Sequence, residues 1–245
     1  MKISKCKIIY EDENLLAIDK PAGMETIEIP DKLGRKVFNI HRLDKDTSGV
    51  NLFAKSQEDL IFFQKQFSPY GGSLSLRDIS RRETEGRKNN EKLEKKVEKR
   101  YIALVVGNVK NDSGRIETLI GRSKRDGTKQ KVYLPAEPGS TGKREAITEY
   151  KVLERFKNYT LLEVVPKTGR MHQIRCHLAY INHPIVGDKK YGFNFQPKPK
   201  DLNRQFLHAS YIKIKLLNGE IKELNSGLAQ DLKLCLENLK KNCLT

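Results

Sequence analysis

Apolar residues along this chain fall in short runs broken by polar turns. In "CKIIYEDENLLAIDKPAG" (6–23) two such runs flank "EDEN", and "KPAG" ends the second, so the pattern predicts strand, turn, strand and a Pro-Gly turn. "GVNLFAK" (49–55) predicts another strand. "SQEDLIFFQKQF" (56–67) predicts a helix: Ser56 and Asp59 fit a capping box, and Leu60, Phe63 and Phe67 recur at helical spacing as core residues. "KRYIALVVG" (99–107) predicts a strand, and "EAITEYKVLERFKNYTLLEVVPK" (145–167) two strands joined by a short turn. "YIKIKLLNGEIKEL" (211–224) predicts a hairpin closed by the two-residue turn Asn218-Gly219. Leu228, Leu232, Cys235, Leu236 and Leu239 mark a final amphipathic helix.

Hairpins with interspersed helices, without strict strand-helix alternation, predict an α+β fold with a mostly antiparallel, mixed sheet and flanking helices. No internal repeat is evident. The stretch 68–98 is polar and charged, with two adjacent glycines, and reads as a flexible insertion or as a basic flap that clasps RNA.

Charge narrows the partners. Lys and Arg number 47 against 31 Asp and Glu, a formal charge of +16 that attracts polyanions; a lysine bias for solubility is the competing explanation. The 9 Tyr and 9 Phe are dispersed and Trp is absent, so no stacking platform for single strands stands out. Cys6, Cys176, Cys235 and Cys243 form no CxxC pair and are expected to be reduced thiols. No apolar run approaches the roughly 20 residues of a bilayer span, and the start lacks a signal-peptide pattern. The expectation is one soluble, cytoplasmic domain over 1–245, monomeric and with no membrane partner.

Three polar clusters carry candidate chemistry: "HRLDKDTSGV" (41–50), "KRYIALV" (99–105) and "TGRMHQIRCHLAYINHPIVGDKKYG" (168–192). The first lies between a Pro-Gly turn and a strand, where a loop delivers side chains to a sheet edge. In the third, His172, Arg175 and Cys176 share one face of a helical segment. His41, Asp44, Asp46, His172, His177 and His183 are possible metal ligands, but no HExxH or zinc-finger spacing occurs. "DTSGV" is not a GxSxG elbow, and no GxxxxGK[ST] phosphate loop is present. A carboxylate held by arginines remains, suited to nucleophilic or general-base work at a sugar carbon.

"HRLDKDTSGV" resembles the HRLDxxTSG segment of the RluA-type pseudouridine synthases, which detach uracil from RNA and reattach it through carbon. "DKPAGM", "KRYIALVVG", "TGRMHQIRCHLAYINHPIVGDKKYG" and "LNRQFLHA" (202–209) resemble the family's further motifs in their usual order. The resemblance implies the pseudouridine synthase fold with a central RNA-binding cleft, and no metal or cofactor. It makes Asp44 the catalytic aspartate, Tyr101 the tyrosine against the target base and Arg175 the partner of the carboxylate. Ile174 would pack under the base. Arg42 would fill the gap left by the extruded base or grip a phosphate; His41 hydrogen-bonds substrate or the loop backbone. Thr47, Ser48 and Gly49 would shape the loop, Thr47 beside the substrate, and Asp46 would be solvated or structural. Arg170, His172 and Gln173 would position RNA or brace the structure. With 43 residues before Asp44, no S4-type domain of the kind many relatives carry is expected. "LNRQFLHA" and "DLKLCLENLKK" most resemble members acting on large-subunit ribosomal RNA, the first expected target; transfer RNA is second. A non-catalytic RNA-binding ribosome-assembly factor and a metal-dependent nuclease are the alternatives from other classes.

Overall fold

The computed structural model describes residues 6–67, 97–200 and 202–241. Strands β1 (Lys7–Glu11) and β2 (Leu15–Lys20) pair antiparallel. Asp12 shapes the turn between them, its Oδ1 accepting the N–H groups of Asn14 and Leu15 at 2.8 and 2.7 Å. The chain continues through α1 (Ile29–Leu33), β3 (Phe38–Asn39), β4 (Ser48–Ala54) and α2 (Gln57–Phe67). Then come β5 (Glu98–Val106), β6 (Ser113–Arg122), β7 (Gln130–Tyr133), β8 (Arg144–Arg155) and β9 (Tyr159–Pro166). Helix α3 (Gln173–Tyr180), β10 (Leu207–Lys215), β11 (Ile221–Asn225) and α4 (Gln230–Lys241) complete the order.

The strands form one 11-stranded sheet in the order β1-β2-β4-β10-β5-β9-β8-β6-β7, with β3 on β4 and β11 on β10. Among the described pairs only β4 with β10 is parallel, so the α+β, mostly antiparallel expectation holds. "LLAI" in β2 is apolar throughout because both faces are covered. Leu15 and Ala17 join one core cluster with Leu52 and Phe63, while Leu16 and Ile18 join another with Phe53 on the alternate side chains. The largest cluster joins β5, β9 and α3 to α4 through Leu104, Leu162, Leu178, Phe206 and Leu232.

The parallel seam positions the site. His208 lies opposite Ser48 and Ala209 opposite Gly49. Gly49 has φ +115°, and a Cβ there would sit 2.1 Å from the Ala209 carbonyl oxygen, so only glycine lets the strands close. Gly49, expected to shape the loop, lies within β4 and permits this close approach.

Other expectations change in detail. Ser56 Oγ accepts the Asp59 N–H at 3.0 Å, but the Asp59 carboxylate takes Asn14 Nδ2 at 2.9 Å, so half a capping box forms and α2 is tied to the first turn. The β10–β11 hairpin closes through a three-residue loop, Leu217–Gly219, with Leu216 N–H bonded to Glu220 O and Gly219 at φ +89°. Strands β6 and β7 went unpredicted: the Ile116, Thr118, Ile120 alternation is masked by outward charges. Most of the polar stretch 68–98, and with it the flap reading, lies outside the described residues. Its last two residues belong to the fold: Val97 is buried and Glu98 opens β5.

Helix α3 is pinned to the sheet by a buried polar contact. His177 is fully buried between Thr118 Oγ1 at 3.0 Å and Thr148 Oγ1 at 2.8 Å, and burial pushes its pKa from an ordinary 6.5 down to about 4. Between those values the unfolded chain binds a proton that the folded chain refuses, so stability falls as pH drops from 6.5 toward 4, by about 3 kcal/mol in all. In His177→Gln, which keeps a donor and an acceptor for the threonines, the slope of unfolding free energy against pH in this window is expected to shrink by about 1.4 kcal/mol per pH unit. Urea unfolding at several pH values measures it; parallel slopes would contradict this role.

Candidate active site

The loop from His41 to Thr47 is held from several sides. Lys20 is fully buried, and its ammonium donates to the carbonyls of Pro21 (2.9 Å), Met24 (2.7 Å) and Lys45 (3.0 Å). Burial lowers its pKa to about 8, assisted by the nearby Arg204 charge. Arg204 donates to Asp46 O at 3.0 Å and Ser48 Oγ at 3.1 Å while gripping Asp231 of α4 through Nε at 2.6 Å and Nη2 at 2.9 Å. Thr47 N–H donates to Asp44 O, and Thr47 Oγ1 accepts Gln205 Nε2 at 2.8 Å. Thr47 therefore shapes the loop. Asp46, expected to be solvated or structural, gives its carbonyl to the brace.

Asp44 stands at the free end of this bracing. Its Oδ2 accepts Arg175 Nη1 at 2.8 Å, from the first turn of α3. Arg175 in turn gives Nε and Nη2 to Asp188, at 2.7 and 2.9 Å. Asp188 is 0 % exposed in its side chain, against 19 % for Asp44, and its Oδ1 also accepts the N–H groups of Lys190 and Tyr191. Burial alone would raise the Asp188 carboxyl; Arg175 and these N–H groups hold it below the usual carboxylate range. Arg175 is held above its ordinary value against its own desolvation by both carboxylates. Asp44 Oδ1 makes no hydrogen bond to a described residue; His172 Nε2 faces it at 3.8 Å.

His172 precedes α3 in the left-handed region, at φ +54°, a strained conformation for a non-glycine residue. Its Nδ1 meets Tyr191 OH at 3.0 Å, and the Tyr191 ring lies under the Arg175 guanidinium. Burial lowers the His172 pKa; Asp44 opposes the shift, and Arg175 and Lys190 reinforce it.

Two hollows meet at Asp44. One, of about 310 Å³, is walled by Tyr101, Ile174, Phe67, Lys99, Thr168, Arg170 and Leu207. The other, of about 770 Å³, is walled by Lys45, Lys189, Lys190, Arg204 and Gln205. His41, Arg42, Leu43, Asp44, His172 and Arg175 border both. Arg42 is exposed, and its side chain makes no hydrogen bond or ion pair among the described residues. His41 is committed to structure: its Nε2 accepts the Leu52 N–H at 3.2 Å, its ring stacks on Phe67, and burial drives its pKa to about 3. Tyr101, in β5, is pushed above the ordinary phenol range by burial and by the Asp44 charge.

Gln173 borders the small hollow but its amide is occupied. Nε2 donates to Ile147 O and Thr148 Oγ1, and Oε1 accepts Thr168 Oγ1 and Arg170 N. It braces the loop before α3. Arg170 donates Nε to Glu145 O at 2.9 Å from the cavity wall. Among the described residues no group of three or more His, Cys, Asp or Glu side chains is placed to hold a metal ion.

Comparison with known proteins decides the family. The model of the RNA pseudouridylate synthase family matches residues 14–180, which include Asp44, Tyr101 and Arg175. This chain belongs to that family. It is 32% identical to an uncharacterized RNA pseudouridine synthase of Bacillus subtilis, over 96% of this chain and 73% of that protein. Ribosomal large subunit pseudouridine synthase C of Vibrio parahaemolyticus is 32% identical over 96% of this chain and 69% of its own length. The corresponding synthase D of Borreliella burgdorferi is 30% identical over the same shares, 96% and 69%. Human RNA Pseudouridylate Synthase Domain Containing 1 shares the fold, at TM-score 0.70 and 22% identity over 98% of each chain.

As an RNA pseudouridine synthase, the protein isomerises uridine in RNA. Asp188, Tyr191, Lys20, Arg204 and Phe67 surround the site, yet none of them was expected to have a role in it. "GDKKYG", "DKPAG" and "LNRQF" contain four of them, Asp188, Tyr191, Lys20 and Arg204, without showing which atoms meet, and Phe67 stood only as a core position of the predicted helix. Gly187 makes the Asp188 turn possible: its φ is +77°, and a Cβ would lie 2.2 Å from Arg204 O.

The two carboxylates on Arg175 differ in burial, and stability should report it. Asp188→Ala leaves a buried guanidinium half-paired and is expected to cost about 3–5 kcal/mol. Asp44→Ala, at the rim, should cost about 1 kcal/mol or less. Urea unfolding compares them, and equal losses would contradict this division.

Proposed function

We propose that this synthase acts on a uridine of large-subunit ribosomal RNA with Asp44 as its catalytic carboxylate. The observation that carries the assignment is the Asp44–Arg175 ion pair, which fixes one carboxylate oxygen and leaves the other facing the junction of two hollows. The target comes from the relatives, among them the large subunit synthases C and D at 30 to 32% identity over nearly the whole chain.

The reaction conserves atoms. The C1′–N1 bond breaks, C1′ joins C5, and the proton on C5 leaves while N1 gains one. The uridine must first leave its stack, at a cost of a few kcal/mol. The small hollow takes the uracil, with Tyr101 and Ile174 as its apolar walls, and Asp44 Oδ1 meets the ribose or base at the mouth. Arg42 is the cation placed at that mouth for the backbone of the extruded nucleotide. Tyr101 enters as a neutral phenol, so any part in moving the C5 proton requires passing its own proton on in the same step. The uracil seated in the small hollow must keep water from C1′ until the new bond forms.

Asp44→Asn is expected to lose at least about 10³-fold in pseudouridine formation on a large-subunit ribosomal RNA transcript while still binding it. Nucleoside analysis of the treated transcript, with a gel-shift assay beside it, reads both. Activity near wild type would remove Asp44 from the chemistry, and modification of transfer RNA alone would overturn the proposed target.

A further inference from the structure

The segment 189–200, "KKYGFNFQPKPK", leaves the large hollow through Lys189 and Lys190 and carries four lysines with no carboxylate. It also carries the two phenylalanines at odds with the rest of the molecule. The chain has 9 phenylalanines, all among the described residues, and only Phe193 and Phe195 are exposed, at 49% and 103%. Phe195 sits in the left-handed region at φ +58°, unusual for a bulky side chain.

The turn that presents this ring is built. Gln196 N–H donates to Phe193 O at 3.2 Å, Gln196 Oε1 accepts Phe193 N–H at 3.1 Å, and Gln196 Nε2 reaches Ile185 O at 3.0 Å. That last bond anchors the turn to the segment leading into Gly187 and Asp188. Pro197 and Pro199 restrict the chain beyond, and Leu202 is fully buried. Aromatic rings interleaved with cations beside a groove are what an RNA strand recognises, its bases stacking while its phosphates pair with lysines.

We infer that Phe195, followed by Lys198 and Lys200, is a stacking post for an unpaired base of the RNA outside the uridine pocket. It extends the function proposed above, because the strand held here is the one whose uridine reaches Asp44 by way of the Lys189–Lys190 groove. The site had no trace in the dispersed aromatic count, since it consists of one loop rather than a platform.

The probe is a fluorescein-labelled, mixed-sequence single-stranded RNA 20-mer, titrated by anisotropy against the full chain. Phe195→Ala is expected to weaken binding about 5- to 140-fold, the loss of one base–aromatic stack, with the salt dependence unchanged. Phe195→Trp should keep wild-type affinity. Replacing Lys198 and Lys200 by Ala should weaken binding and flatten its salt dependence. Affinity of Phe195→Ala within twofold of wild type would overturn the inference. So would anionic phosphatidylglycerol vesicles that bind wild type and not Phe195→Ala while RNA affinity stays fixed, since the ring would then serve a membrane surface. Loss of RNA affinity in Phe195→Ala together with full activity in Asp44→Asn would leave the stacking post standing and remove the catalytic assignment.

Discussion

Arg175 spends Nε and Nη2 on Asp188 and Nη1 on Asp44, and the site is organised around that division. A guanidinium this deeply buried must be paired, and Asp188, with two backbone N–H donors of its own, supplies the fully desolvated half of the pairing. One N–H edge is then left to fix Asp44 from behind. A lysine, as a single point charge, would not serve both carboxylates in one plane. The Tyr191 ring beneath the guanidinium adds a face contact, and its hydroxyl reaches His172. Helix α3, the Asp188 turn and the Asp44 loop are thereby locked by one side chain.

The front of the loop is fixed by different chemistry. Lys20 holds three carbonyls, one of them next to Asp44 in the chain, and Arg204 ties the loop to α4 through Asp231. The Arg204 tie is reinforced because β4 and β10 approach closely enough for Ser48 Oγ to bridge Arg204 and His208, which Gly49 permits. His208 Nε2 donates to Ser226 O, so Nδ1 is the acceptor for the Ser48 hydroxyl. The one parallel pair among the described strands is also where the sheet's two halves meet, and the site opens beside it.

Much of the fold was legible because its strands are short apolar runs between turn residues. β1, β2, β4, β5, β8 and β9 announced themselves that way, as did α2 and α4. β6 and β7 did not, since strands exposed on one face, with Arg115, Glu117 and Lys131 pointing outward, have too few apolar positions to stand out. Asp44, Arg175 and Tyr101 were named by resemblance, and the structure brings all three to one cavity although 131 residues separate Asp44 from Arg175. Asp188 was not legible as a partner: Gly187 before it is visible in the sequence, but its left-handed conformation and the burial of the carboxylate against Arg175 are not. Gln173 looked equally suited to substrate or scaffold, while Thr47 was expected to shape the loop beside the substrate; in the structure the Gln173 amide is taken up by protein partners and Thr47 Oγ1 accepts Gln205 Nε2.

The most direct test is a crystal structure of Asp44→Asn bound to a large-subunit ribosomal RNA fragment that the wild-type enzyme modifies. It should show one extruded uridine with its uracil between Tyr101 and Ile174, its C1′ in contact with the side chain at 44, and Arg175 still paired with Asp188. An RNA lying across the protein with its modified uridine outside that cavity, or Arg175 turned away from both positions, would contradict the account.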